Sequence, residues 1–207
     1  RDIRGAGNLL GDEQSGHIRE VGIELYQQML EEAVASVKAG LTEPVSDRWS
    51  PQITVGTPVM IPDDYVADLP VRLSLYRRLA ELDDEREIEA FGAELVDRFG
   101  PSPLEVRHLM AIVAIKALCR RANVEKVDAG PKGVVLSFRD NIFPNPEGLI
   151  AFIREQGAGV RMRSDPKDAK NQQLVFFDEW ERPEARLKGT AAILRRLAGI
   201  AGMAKAA

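Results

Sequence analysis

The hydrophobic period changes near Ala122, and that change limits what this chain can fold into. Before it, apolar residues recur at three- and four-residue intervals; after it they alternate or gather in short β-branched runs. Leu73, Leu75/Tyr76 and Leu79 predict a helix over 71–81. Asp83 or Asp84 can cap a second helix, which the "FGP" ending at Pro101 stops. Ser102-Pro103-Leu104-Glu105 reads as a capping box with proline at the first helical position. The helix it opens reaches about Ala122, with Leu109, Ile112/Val113, Lys116 and Ala117 in a largely buried pattern. Val124–Asp128 and Val134–Phe138 then flank "AGPKG", a hairpin signal. "NPEGLIAFIREQ" is expected as a short helix, "GVRMR" and "QLVFF" as strands, and Glu184 to about Ala201 as a last helix. The expected class is α+β, a helical layer packed on a small, mainly antiparallel sheet.

Upstream lies a different region. Ile23, Tyr26, Met29/Leu30, Val34 and Val37 give one apolar helical face that Gly40 ends. "LTEPVSDRWSPQ" carries Pro44 and Pro51 and reads as a linker, so a boundary at about residue 45 divides 1–45 from a domain over 46–207. "ITVGTPVMIP" should be an extended, edge-like strand, since Gly56 and Pro58 interrupt its β-branched residues. Arg1 opens without an initiator Met, and the sequence is expected to be an excised fragment.

Known chemistries find little footing. A formal charge of −4 argues against a dedicated nucleic-acid-binding domain, although a local basic site survives that average. The single cysteine excludes an internal disulfide framework and fits a reducing cytosol. No run approaches the ~18 apolar residues of a membrane span, so a cytoplasmic protein without membrane contact is expected. "GAGNLLG" has no preceding strand and no following Lys-Ser/Thr, so it is not a nucleotide loop. His17 and His108 accompany only Cys119, which makes no metal set; Cys119 reads as a core thiol and His108 as a helix-face residue. No nucleophile–base set is spaced for catalysis, so this stretch by itself is expected to be no enzyme and to hold no cofactor.

The opening "IRGAGNLLGDEQSGH" is the unusual stretch. Gly5, Gly7, Gly11 and Gly16 let backbone approach a partner closely, Arg4 offers a planar cationic fork, and Gln14 an amide. With "VGIELYQQMLEEAV" it resembles the end of the second motor domain of the bacterial transcription-repair coupling factors, superfamily 2 DNA translocases. A similar loop occurs in RecG-type fork-remodelling helicases. "MIPDDYVADLPVRLSLYRRLA", "ELVDRFGPSPLEVRHLMAI" and "GVVLSF" resemble the C-terminal domain of the same family. The resemblance runs from Ile3 to about Phe138 and weakens beyond; "RDIRGAG" stands where "LEIRGAG" is common.

The resemblance implies that Arg4 and Gln14 are translocation-motif residues, coupling ATP hydrolysis to movement on DNA. ATP and magnesium would belong to the parent protein, an ATP-dependent translocase whose partners are double-stranded DNA, RNA polymerase and UvrA. It further implies an interdomain role for Glu94 and Asp97. In the family the matching acids meet an N-terminal UvrB-like module, an inhibitory clasp that hides the UvrA-binding surface. Residues three apart on a helix share a face, and Asp97 falls in the last turn, where the dipole disfavours an anion by ~0.3–1 kcal/mol. Read from the residues alone, Glu94 with Arg98 at i+4 is an ordinary solvated pair. An alternative function is a nucleic-acid-binding module that uses the last helix, with six basic and two acidic residues across Glu181–Ala207.

Overall fold

The structure, a computed structural model, describes residues 49–206. Arg4, Gln14, the helix expected before Gly40 and the boundary at residue 45 lie outside the described residues. Within them the chain forms helices α1 (Leu69–Glu81), α2 (Glu85–Phe99), α3 (Leu104–Ala122), α4 (Pro146–Gln156) and α5 (Pro183–Ala206). The strands are β1 (Gln52–Thr54), β2 (Val124–Gly130), β3 (Gly133–Phe138), β4 (Val160–Ser164) and β5 (Gln172–Phe177). The class is α+β. The described residues fall into two compact units: a helical unit of Trp49 with Thr57–Val113, and a sheet unit of Ser50–Gly56 with the chain from Ala114 onward. Helix α3 passes from the first to the second after Val113.

In the helical unit the expected signals act where they stand. Pro70 lies in the first turn of α1, which buries Leu75, Tyr76 and Leu79. The Asp84 carboxylate caps α2, accepting from Arg86 N at 2.7 Å and Glu87 N at 3.0 Å, and α2 buries Ile88, Phe91 and Leu95. Gly100, at φ 92, ends it by donating to the Val96 carbonyl. Pro103 precedes α3 rather than opening it; its carbonyl accepts the first helical bonds, from Val106 N and Arg107 N. The strand expected over "ITVGTPVMIP" is only Gln52–Thr54 long. Gly56 turns to φ 66 and Pro58 has no N–H to give, so the chain leaves the ladder. Beyond it Val59, Ile61 and Val66 are buried without a sheet, and Ile61 N is satisfied by the Tyr76 hydroxyl at 2.6 Å.

The sheet unit holds five strands in the order β1-β2-β3-β5-β4. All neighbours are antiparallel except β1 and β2, which run parallel at one edge. Val127, Leu136 and Leu174 lie opposite one another across three strands and are fully buried, and α4 covers this face where Phe152 meets Phe176 at 6.1 Å. The hairpin turn needs its glycine: Gly133 sits at φ +125, and a Cβ there would fall 1.9 Å from the Phe176 carbonyl oxygen. Asn123 ends α3 in a left-handed conformation and donates to the Arg139 and Ile142 carbonyls, tying the helix end to the chain leaving β3. Asn145 caps α4 through Gly148 N and reaches the Ile200 carbonyl of α5.

Candidate functional site

Glu94 and Asp97 both stand on α2, as expected, but their surroundings differ. Arg78, on the last turn of α1, meets Glu94 with both nitrogens: Nη1 to Oε2 at 2.6 Å and Nη2 to Oε1 at 2.7 Å. Arg98, one turn further along α2, adds Nη1 to Oε2 at 3.0 Å. The hydrogen bond from Arg78, then that from Arg98, holds the Glu94 carboxyl at about 2, below its ordinary 4.5; the same bond raises Arg78. Two aromatic rings steady the cations. The Arg78 guanidinium lies 4.8 Å from the Phe91 ring centre and that of Arg98 4.9 Å from Phe99. Phe99 is held from behind by Tyr65, whose ring is 5.8 Å away and whose hydroxyl lies 2.8 Å from the Gly100 carbonyl oxygen.

Asp97 is exposed, and among the described residues its side chain has neither an ion pair nor a hydrogen bond. It sits in the last turn of α2 beside Val96, which is 47% exposed. The helix end therefore offers a free carboxylate and an uncovered apolar side chain, next to a Glu94 whose charge is already met by two arginines. The solvated pair read from the sequence, Glu94 with Arg98, is present; Arg78 was not foreseen, because a partner sixteen residues away leaves no local trace in sequence.

Other candidates resolve in less functional ways. His108, expected on a helix face, is buried and shares a 2.8 Å hydrogen bond with the Thr57 hydroxyl. Cys119 is a buried thiol, and burial pushes its pKa up. Lys116 is 95% covered and donates to the Ser50 hydroxyl at 3.2 Å; burial first, then Arg120, lowers it to about 7. On α5, Arg186 serves the Trp180, Val55 and Glu181 carbonyls and Arg196 pairs with Glu155 at 3.0 Å, so these cations have structural partners. Among the described residues no three His, Cys, Asp or Glu side chains group as a metal site, and no helix is long and apolar enough to cross a membrane.

The chain is similar to known proteins along most of its length. Residues 55–149 match the TRCF domain. A transcription-repair-coupling factor of Rickettsia bellii is 45% identical over 176 residues, 84% of this chain and 15% of the relative. That of Escherichia coli K12 is 33% identical over 198 residues, 95% of this chain and 17% of the relative. The chain thus spans about a sixth of the length of these relatives. A crystal structure of the C-terminal domain of transcription-repair coupling factor superposes with a TM-score of 0.59 at 19% identity, covering 76% of this chain and 99% of that one. That likeness carries the fold.

Proposed function

We infer, from the premise that this chain belongs to the transcription-repair-coupling factor family, that its C-terminal domain acts as an inhibitory clasp on a DNA translocase. In this reading the α2 end docks on a UvrB-like module of the same protein and covers the surface that takes up UvrA. Release follows when the whole protein engages RNA polymerase and double-stranded DNA. ATP and magnesium act in the motor, and Arg4 and Gln14 convert hydrolysis into movement along the duplex. The parent protein is read as cytoplasmic.

The observation that supports the clasp is Asp97: a carboxylate in an unfavourable helical position, with no cation paired to it among the described residues, next to exposed Val96. A basic residue on a partner would relieve both. Glu94 contributes mainly by holding Arg78 and Arg98 in place, so that partner need supply a cation for one acid only. The test is UvrA affinity of the full-length protein, wild type against Glu94→Ala with Asp97→Ala, without DNA. The double change should raise affinity at least about thirtyfold, the low end of the ~2–5 kcal/mol for truncating one side of a desolvated charge pair. Unchanged affinity, with the domain still folded, rejects the clasp.

A further inference from the structure

Among the described residues the helices of the sheet unit cover one face; on the other the flanking side chains are exposed, while Gln173 and Val175 in the middle are buried among their neighbours. On that second face, registered pairing places Lys126, Ser137, Gln173 and Arg163 in one row across β2, β3, β5 and β4. The neighbouring row runs Asp128, Val135, Val175 and Arg161, and Phe177 follows Val175 on the same face. Lys126, Arg161, Arg163 and Phe177 are exposed, Phe177 to 50%. Among the described residues none of the three cations has an acidic partner at ion-pair distance. They are nonetheless held. The Arg161 guanidinium lies 5.4 Å from the Phe177 ring centre, while Arg163 spends only its Nε on Gln173, at 3.0 Å, and Gln173 in turn donates to Ser137. The Arg163 terminal nitrogens thus stay available for an anion.

The charge balance points the same way. The sheet unit carries seventeen Lys and Arg against eleven Asp and Glu, whereas Thr57–Val113 carries six against twelve. The chain's net −4 conceals a cationic sheet unit.

We propose that this open face of the sheet binds a single-stranded nucleic acid segment, with Arg161, Arg163 and Lys126 on its phosphates and Phe177 under a base. The spacing suits an extended strand. Arg161 and Arg163 are two residues apart on β4, about 7 Å, and Lys126 lies three strand steps away, about 14 Å. An antiparallel sheet backed by helices, with an exposed aromatic among cations, accepts a base on its π-face and phosphates at the rim. A duplex has its bases stacked inward and offers Phe177 nothing. This surface is distinct from the α2 end, and the inference stands whether or not the clasp does.

The test is fluorescence anisotropy of the whole 207-residue chain with a labelled oligo-dT of about 20 nucleotides, longer than the ~4–16 that comparable sites cover. Binding should fall with salt, and Arg161→Glu with Arg163→Glu should weaken it at least about tenfold and flatten the log–log salt slope by ~1.4. Phe177→Ala should weaken binding by about tenfold with the slope unchanged. Lys126→Glu, on a different strand, should reproduce a smaller part of the arginine effect. Lys188→Glu on α5 should change neither affinity nor slope. Melting curves confirm that each variant folds. The proposal is overturned if wild type does not bind at low salt, or if Lys188→Glu weakens binding as much as the arginine pair. It is equally overturned if duplex binds more tightly than the single strand, or if an acidic peptide displaces the oligonucleotide and is held undiminished by Phe177→Ala, which would make the face a protein-docking surface.

Discussion

Arg78 and Glu94 close a two-bond ion pair between α1 and α2, at 2.6 Å and 2.7 Å, with the Arg78 guanidinium lying over Phe91. The pair is about two-fifths exposed, so its own contribution stays below about 1 kcal/mol, but it fixes the crossing of the two helices on a ring that is itself core. Its pH dependence follows from the depressed Glu94 carboxyl. The stabilisation is complete above the unfolded value near 4.5 and is lost as the pH falls toward 2. Glu94→Gln should therefore be slightly less stable than wild type at pH 7, and the gap in urea midpoint should close between pH 4.5 and 2. A gap that persists at the acid end would mean the pair acts through packing and not through charge.

Separating the two acids sharpens the clasp reading. Asp97→Ala should raise UvrA affinity of the full-length protein with no loss of domain melting temperature, because among the described residues it breaks no ion pair and relieves an adverse dipole contact of ~0.3–1 kcal/mol. Glu94→Ala should lower the melting temperature by a few degrees and act on UvrA only by loosening the arginines. If Glu94→Ala alone carried the whole effect, the roles assigned to the two acids would be reversed.

Lys116 adds a pH dependence of the same sign at higher pH, from burial and not from pairing. A lysine lowered from 10.5 to about 7 by burial is neutral above that range and charged below it, and the unfolded chain keeps it charged up to 10.5. Wild-type stability should rise with pH across 7 to 10.5 from this group. Lys116→Met should be at least as stable as wild type at pH 6, with that advantage shrinking by pH 9 in parallel denaturant titrations.

Two glycines sit where a methyl has no room. A Cβ on Gly133 meets the Phe176 backbone at 1.9 Å in a positive-φ position, and one on Gly189 of α5 meets the Trp180 ring at 2.3 Å. Gly133→Ala should cost about 3 kcal/mol or prevent folding of the sheet unit, since backbone must move. Gly189→Ala should cost about 1–3 kcal/mol and shift the emission of Trp180. Equal, small effects at both would show that the sheet relaxes as readily as a side chain.

What could be read from the residues was what neighbours in sequence decide. Asp84 as a cap, Gly100 as a stop and the hairpin over "AGPKG" each depend on chemistry within a few positions, and each is where it was expected. The α+β class followed from the change of period near Ala122. What distance decides was not legible. The parallel pairing of Ile53 with Val127 and the insertion of β5 between β3 and β4 both depend on contacts between remote segments. His108 was misplaced because one polar residue within a helical pattern says nothing about a Thr57 waiting to bond it. At the candidate site the acids were visible in the resemblance, while Arg78, which decides how differently those acids behave, was not.

The short parallel strand β1 belongs to the sheet unit although the helical unit follows it directly in the chain. Its ladder with β2 spans Gln52 to Thr54, and Arg186 reaches across from α5 to hold the Val55 carbonyl at 3.3 Å. A pull on the chain at Ser50 therefore bears on the β1–β2 ladder, on the Lys116 bond to Ser50 and on the Arg186 bond to Val55. Force entering the sheet unit there would meet shear-loaded hydrogen bonds, with the parallel ladder and two long cationic side chains among its first resistance.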